Sequence, residues 1–170
     1  SMYDGSAGIG IFFIRLYEAT GDTRWLTEAE EAAAHIIATK VGVEWYQTTL
    51  HSEVKGIIPV PGWAAGPYNG PVGEAYFLED LYQVTGKQEY RDYVLYVADV
   101  LLEAAVTDER GLHWSDQEDI TADGGFIVFL DILYRKTGIK KYLDTACAAA
   151  DRIAQDALCL LYTSPSPRDA

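Results

Sequence analysis

The sequence predicts an all-α fold in which tandem helical hairpins form part of an α/α toroid, a double ring of helices, with short strand-like or irregular loops between hairpins. The main observation is a template, Leu-Tyr-x-x-Thr-Gly, that begins at Leu16, Leu81 and Leu133. A glycine stands eight residues before each leucine, a phenylalanine four before it and an aromatic residue nine after it. This register recurs three times, which indicates an internal repeat.

Each repeat predicts a helix, a tight turn and a second helix. The first helix ends at the Thr-Gly pair, because glycine readily takes the left-handed conformation that terminates helices. In the first repeat, Asp22 then stands where an N-cap residue belongs. The predicted hairpins cover about 5–39, 70–106 and 122–158.

The two helices of a hairpin differ in composition. In the first repeat, residues 9–17 are apolar on nearly every face, whereas residues 26–36 place a run of glutamates on one side. We therefore expect inner helices that are surrounded by other helices and outer helices that have one solvent-exposed face. On the outer helices, His35 is expected at the surface and Cys147 in a buried seam of small residues. The long, uneven spacing of the repeats favours a toroid over an open solenoid.

The domain prediction is a partial α/α toroid at 1–158 followed by a non-native tail at 159–170. From Cys159 onward the helical period stops and the sequence becomes proline-rich, like translated adaptor sequence. We therefore exclude the tail from the fold prediction.

Charge and cysteine content narrow the classes of partner. Thirteen Lys and Arg against twenty-six Asp and Glu give a net charge of −13, which would repel nucleic acid and anionic membranes. The two cysteines form neither a disulfide framework nor a zinc-finger pattern. No stretch is apolar for long enough to span a membrane. We therefore expect a cytoplasmic protein without nucleic-acid partners or membrane insertion.

The unusual side chains lie in two connections between the hairpins, about 40–67 and 107–120. The candidate substrate-binding residues are Trp45, His51, Trp63 and Trp114, and the weak catalytic candidates are His113, Asp116 and Asp119. Tryptophan beside carboxylates suits a site that stacks a sugar and uses an acidic pair for acid and base catalysis. The simpler interpretation is that these aromatic residues cover the ends of the inner helices. No catalytic residue and no metal site can be assigned from the sequence.

Three glycine-containing segments carry a family resemblance. They are Tyr3–Gly10 together with Phe12–Asp22, then Gly70–Ala75, and finally Asp123–Phe126. These segments resemble the inner-helix motif of the lanthionine synthetase C-like (LanC-like) peptide cyclases. The resemblance implies a double ring of helical hairpins and, in an intact cyclase, a zinc ion that activates a substrate cysteine for thioether formation.

The chain departs from that family at the metal site. The Trp-Cys-x-Gly and Cys-His-Gly motifs that supply the zinc ligands do not occur here. We therefore expect no cofactor in this chain, zinc in an intact cyclase-like protein, and a fragment that is inactive alone. Its partner would be a peptide substrate, and its exposed hairpin edges would self-associate.

Two alternatives remain open. A carbohydrate-active α/α toroid, either a glycosidase or a sugar epimerase, would place a carboxylate or histidine pair in the cavity and bind a glycan. A non-catalytic helical-repeat binding module would instead carry its distinctive residues along one concave helix face.

Overall fold

The computed structural model describes residues 2, 5–40, 42–44, 66–115 and 123–163, without the side chains of 156 and 158–163. The elements named in these ranges are six helices and two strands. The helices are α1 (Ser6–Thr20), α2 (Thr23–Thr39), α3 (Pro71–Thr85), α4 (Gln88–Ala104), α5 (Asp123–Thr137) and α6 (Lys140–Thr163). The strands are β1 (Val106–Asp108) and β2 (Gly111–His113), which pair antiparallel in the second connection. The all-α prediction is confirmed at this level.

The Thr-Gly pair ends the first helix of each hairpin by the same set of hydrogen bonds. The threonine hydroxyl donates to the carbonyl of the template leucine at 2.7 to 2.8 Å and accepts from the backbone N–H two residues later. The glycine takes φ of 68° to 71°, and its N–H donates to the carbonyl of the template tyrosine. The threonines are Thr20, Thr85 and Thr137, and the glycines are Gly21, Gly86 and Gly138. The template is therefore a local helix stop.

The second helix of the first hairpin begins as predicted. Asp22 is its N-cap, and the carboxylate accepts from the backbone N–H of Arg24 at 3.0 Å. This contact satisfies one of the free N–H groups of the first helical turn.

The hairpins are arranged in chain order. Each first helix packs against its own second helix, and α3 contacts both α1 and α5. We call α1, α3 and α5 the inner row. An α/α toroid requires adjacent inner helices of this kind. That the inner helices close into a ring stays a prediction.

The centre of the core lies along α3. Its apolar residues Val72, Ala75, Phe77, Leu78 and Leu81 are all fully buried. The ring of Phe77 packs so closely on α1 that a Cβ at Gly10 would overlap it. A glycine in α1 thus lets two inner helices approach each other.

A buried ion cluster joins three helices near the Thr-Gly end of α3. Glu79 is buried, and its Oε1 atom accepts from Arg91 of α4 at 2.8 Å. The same oxygen lies 3.2 Å from Nζ of Lys136 on α5. The guanidinium of Arg91 also lies over the ring of Tyr82, 4.2 Å from its centroid. The second hairpin is thereby linked to the third by charge as well as by packing.

The outer helices are joined across both hairpin boundaries by exposed ion pairs. Lys87 at the start of α4 lies 2.7 Å from Glu30 of α2. Lys141 of α6 lies 2.6 Å from Asp99 of α4. Pairs this exposed contribute about 0–1 kcal/mol each, so they align the hairpins more than they stabilise them.

Two expectations need correction. The helix α1 is not surrounded by other helices, because Ile9 and Phe12 are 55% and 58% exposed. Cys147 is exposed and not in a buried seam, since the inward-facing positions of α6 belong to its neighbours Ala146 and Ala149. The helix α6 runs to Thr163, and the predicted domain boundary near 158 stays a prediction. His35 is exposed, as expected.

In the described part of the chain, no helix combines the length and the apolar character needed to cross a membrane.

Candidate functional site

The inner row carries a cleft of about 360 Å³. Each inner helix contributes two residues to its wall: Ile11 and Arg15 from α1, Tyr76 and Asp80 from α3, Gly125 and Val128 from α5. Pro67 and Tyr68, which precede α3, and Met2 complete the lining. Residues of three consecutive repeats therefore line one cleft, and a ligand could enter it.

Helical geometry places this cleft away from the outer helices. Ile11 and Arg15 are four residues apart, so they lie on one face of α1. Phe13 lies between them in sequence and so points to the other side, where its ring stacks on Trp25 of α2 at a centroid distance of 5.9 Å. The cleft is therefore on the inner side of the row, with the outer helices behind it.

An ion pair crosses the cleft between α1 and α3. Nη2 of Arg15 lies 2.7 Å from Oδ2 of Asp80, while Nη1 donates to Glu18 at 2.7 Å. The hydrogen bond to Glu18, together with the charge of Asp80, raises the pKa of Arg15. The cleft thus offers a fixed positive charge and a carboxylate side by side.

Two tyrosines give the cleft its aromatic surface. Tyr76 is partly buried with its ring edge-on to Phe129, at a centroid distance of 5.5 Å. Burial raises the pKa of Tyr76 to about 12, so its hydroxyl stays protonated and able to donate at neutral pH. Tyr68 is exposed at the rim of the cleft.

Most of the cleft residues lie on the inner helices, whereas the unusual side chains of the sequence lie in the connections, so the sequence did not predict the cleft. A signal was present, however, because the cleft residues occupy fixed positions of the repeat. Ile11, Tyr76 and Val128 each stand five residues before the template leucine, and Arg15 and Asp80 stand one residue before it. Arg15 and Asp80 are polar residues on helices that are otherwise largely apolar in sequence, and this contrast is the signal that could have identified them.

Trp114, a predicted substrate-binding residue, lies in a packed position. Its indole Nε1–H donates to the carbonyl of Leu101 at 2.7 Å, and its ring packs edge-on to Phe126 at a centroid distance of 5.1 Å. Asp123 at the start of α5 accepts from the backbone N–H groups of Trp114 and Ser115, at 3.1 Å each. These contacts fix the second connection to the N-terminal end of α5. A further role of Trp114 in substrate binding stays a prediction.

His113, a weak catalytic candidate, belongs to a different cluster. Nη1 of Arg152 on α6 lies 2.7 Å from Nδ1 of His113 and donates to Asp108 at 2.7 Å. A guanidinium can only donate, so Nδ1 of the imidazole is the acceptor in this contact. The hydrogen bond from Arg152 lowers the pKa of Asp108 to about 2. The cluster anchors the two strands to α6, and His113 and Trp114 do not line the cleft.

The carboxylate of Glu74 is buried near the start of α3. Glu74 accepts from the hydroxyl of Tyr93 at 2.9 Å, and its carboxylate lies so close to Gly42 that a Cβ there would overlap it. Burial raises the pKa of Glu74, and the hydrogen bond from Tyr93 opposes that change. The group has partners within the fold and is not part of the cleft.

The remaining predicted site residues lie outside the described part of the chain. They are Trp45, His51, Trp63, Asp116 and Asp119. The described residues contain no group of three or more His, Cys, Asp or Glu that could hold a metal ion.

Comparison with known proteins leaves the family open. No model of a protein family matches the chain, and no curated protein sequence matches it.

Proposed function

We propose that this chain is part of an α/α toroid of the LanC-like type and that its cleft binds a segment of a peptide. The observation that supports this most is the cleft itself, to which each of the three inner helices contributes the residue five before its template leucine. A surface built in this way extends along the row and suits an extended ligand.

The chemistry of the lining favours a peptide. Arg15 and Asp80 can pair with acidic and basic side chains, and the protonated hydroxyl of Tyr76 can donate to a backbone carbonyl. Ile11 and Val128 provide apolar walls for side chains. This mixture of charge, hydrogen-bond donor and apolar surface matches the mixture that a peptide presents.

The proposal assigns binding to this chain and not ring closure. In an intact cyclase, zinc would lower the pKa of the substrate thiol. The residues that the structure describes do not form a set of ligands for that ion, so no step of the chemistry is assigned to them. The position of the cleft on a helix face also fits a non-catalytic binding module.

A glycan is the alternative ligand, because Tyr68 is an exposed aromatic residue in the lining that also contains a carboxylate, Asp80. Hydrolysis of a glycosidic bond usually needs two carboxyl groups. Among the described residues of the lining, Asp80 is the one carboxylate. The lining therefore favours a peptide over a glycan.

Binding can be tested with two probes on the full chain. One is a short fluorescein-labelled peptide containing serine, cysteine, lysine and glutamate, and the other is a labelled linear glucose oligosaccharide. Fluorescence anisotropy should detect binding of the peptide and not of the oligosaccharide. Binding of the oligosaccharide alone would favour the carbohydrate interpretation, and binding of neither probe would contradict the proposal.

A matched pair of substitutions locates the binding site. Arg15→Gln removes the charge from the cleft and should weaken peptide binding about tenfold, since hydrogen bonds to charged groups are among the stronger ones. Arg135→Gln is the control, because Arg135 is also an inner-row arginine with a carboxylate partner, Asp131, but does not line the cleft. Equal loss of binding in both variants would argue against the cleft.

A further inference from the structure

The lining of the cleft repeats at the spacing of the inner helices. Ile11, Tyr76 and Val128 each stand five residues before the template leucine, and they belong to three successive helices of the inner row. Packed helices lie about 8–10 Å apart, measured between their axes. A ligand that crosses the row therefore meets an equivalent position of the repeat about every 8–10 Å.

This spacing matches one conformation of a peptide better than another. A polyproline II helix has about three residues per turn and rises about 3.1 Å per residue, so its side chains face the same way about every 9 Å. Side chains of a β-strand face the same way about every 7 Å, because they alternate at about 3.3 Å per residue. A polyproline II segment can therefore place residues three apart on successive inner helices, whereas a β-strand cannot keep that register.

The polar side chains of the lining are mostly hydrogen-bond donors. The guanidinium of Arg15 can only donate, and the hydroxyl groups of Tyr68 and Tyr76 can donate as well as accept. Within the described chain, the hydroxyl of Tyr76 makes no hydrogen bond. A proline-rich segment suits such a surface, because its backbone carbonyl groups are free to accept and its prolines have no N–H to donate.

The two tyrosine rings of the lining lie at different depths. Tyr68 is 44% exposed at the rim, and its backbone is held in place by the N–H of Met2, which donates to its carbonyl at 3.0 Å. Tyr76 is partly buried on α3. Grooves lined by aromatic residues are the surfaces on which proteins commonly bind proline-rich segments.

We propose that the cleft binds a proline-rich segment in the polyproline II conformation, with prolines three residues apart on successive inner helices. This inference rests on the proposed peptide-binding function and names the class of peptide. The proline rings lie against the apolar walls and the tyrosine rings, and backbone carbonyls accept from Arg15 and Tyr76. Because the free segment already favours this conformation, binding costs less conformational entropy than it does for a flexible peptide.

Fluorescence anisotropy of labelled peptides with the full chain tests the inference. The first peptide repeats the unit Pro-Ala-Ser, and the second has alanine in place of every proline. The proline repeat should bind about ten times more tightly than the alanine peptide, because its backbone is already in the bound conformation. Equal binding of the two peptides overturns the inference and leaves the peptide-binding function in place.

The mixed peptide of serine, cysteine, lysine and glutamate separates the two levels of the proposal. If it binds more tightly than the proline repeat, the cleft takes a peptide of another class and this inference alone fails. If none of the three peptides binds, the proposed function fails together with the inference.

An isomer of the proline repeat tests the spacing. It contains the same residues, but its successive prolines stand alternately two and four residues apart. In the polyproline II conformation only every second proline then faces the inner row, so the isomer should bind several-fold more weakly. Equal binding of the isomer and the proline repeat overturns the inferred match between the prolines and the inner helices.

A matched pair of variants places the segment in the cleft. Tyr76→Phe removes one hydroxyl from the lining and should weaken binding of the proline repeat about two- to tenfold, the usual range for one hydrogen bond. Tyr82→Phe is the control, because Tyr82 is a partly buried tyrosine of the same helix that does not line the cleft. An equal loss in both variants, or no loss in Tyr76→Phe, overturns the inference.

Discussion

The first and second hairpins share one template but differ in how their phenylalanines are used. Phe12 is 58% exposed, whereas its equivalent Phe77 is fully buried against α1. At another equivalent pair, α1 carries the exposed Ile9 and α3 carries the buried Glu74. The hairpins fold alike because the turn is local. They differ in burial because, within the described chain, α3 has an inner helix on each side and α1 has one on a single side. The position of a helix in the inner row, and not the residue type, therefore decides whether the side chain is buried.

The largest expected difference between the two hairpins is the cost of losing the phenylalanine. Phe77→Ala should lower the free energy of unfolding by about 3–5 kcal/mol, because it leaves a cavity between α1 and α3. Phe12→Ala should change it by less than about 0.5 kcal/mol, as is usual for surface substitutions. Urea denaturation followed by helical circular dichroism measures both values. Similar losses in the two variants would contradict the difference in burial.

The next effect concerns the glycine on which Phe77 packs. Gly10→Ala gives α1 the residue that α3 has at the equivalent position, Ala75. The new Cβ would overlap the Phe77 ring, and overpacking costs about 1–3 kcal/mol, partly offset by the better helix propensity of alanine. We expect a net loss of about 1–2 kcal/mol in the same urea experiment. The double variant Gly10→Ala with Phe77→Leu should recover part of that loss, and a stabilised single variant would show that the two helices are not so close.

An effect of similar size should be equal in the two hairpins. Gly21 and Gly86 both adopt φ near +70°, and a Cβ at either would meet no neighbouring atom. Alanine at either position should cost about 1–2 kcal/mol, the penalty of the left-handed conformation. Thermal or urea unfolding should give the same loss for both variants within error. A much larger loss at Gly86 would mean that the turn depends on its neighbours.

The smallest expected effect is the pH dependence that the buried carboxyl group of Glu74 gives to the second hairpin. The pKa of Glu74 is raised by burial, so the folded state holds its proton more tightly than the unfolded state does. Stability from this group is thus present below its unfolded pKa and is lost as the pH rises through the raised folded value. Glu74→Gln should remove that loss, so the variant should gain stability relative to wild type between mildly acidic and neutral pH.

Unfolding curves collected at several pH values provide the comparison. Glu89→Gln serves as the control, because Glu89 is an exposed carboxylate on the same hairpin. If the stability of Glu74→Gln relative to wild type stays constant with pH, the burial argument is incorrect.

The sequence predicts local features of this fold well. The hairpin turns follow from Thr-Gly because every hydrogen bond of the motif lies within a few residues of it. The N-cap at Asp22 is equally local. Patterns of this kind can be recognised without knowledge of the tertiary contacts.

Features that depend on distant residues were not predicted. The Arg152–Asp108–His113 cluster joins α6 to the two strands, and no sequence pattern connects these positions. The exposure of Cys147 follows from the rotation of α6 about its axis, which neighbouring helices set. The cleft was missed for a related reason, since it forms only where Arg15 and Asp80 meet across two hairpins.

The central helix also has a consequence for how the chain opens. Because α3 contacts α1, α2, α4 and α5, it cannot unfold without the loss of its contacts to both neighbouring hairpins. Repeat arrays open from their ends, where each unit has fewer neighbours. Amide hydrogens of α3 should therefore exchange with solvent last, and those of the first hairpin much earlier. Such a gradient would make the native state a set of partly opened forms, with the middle of the inner row as the part that persists.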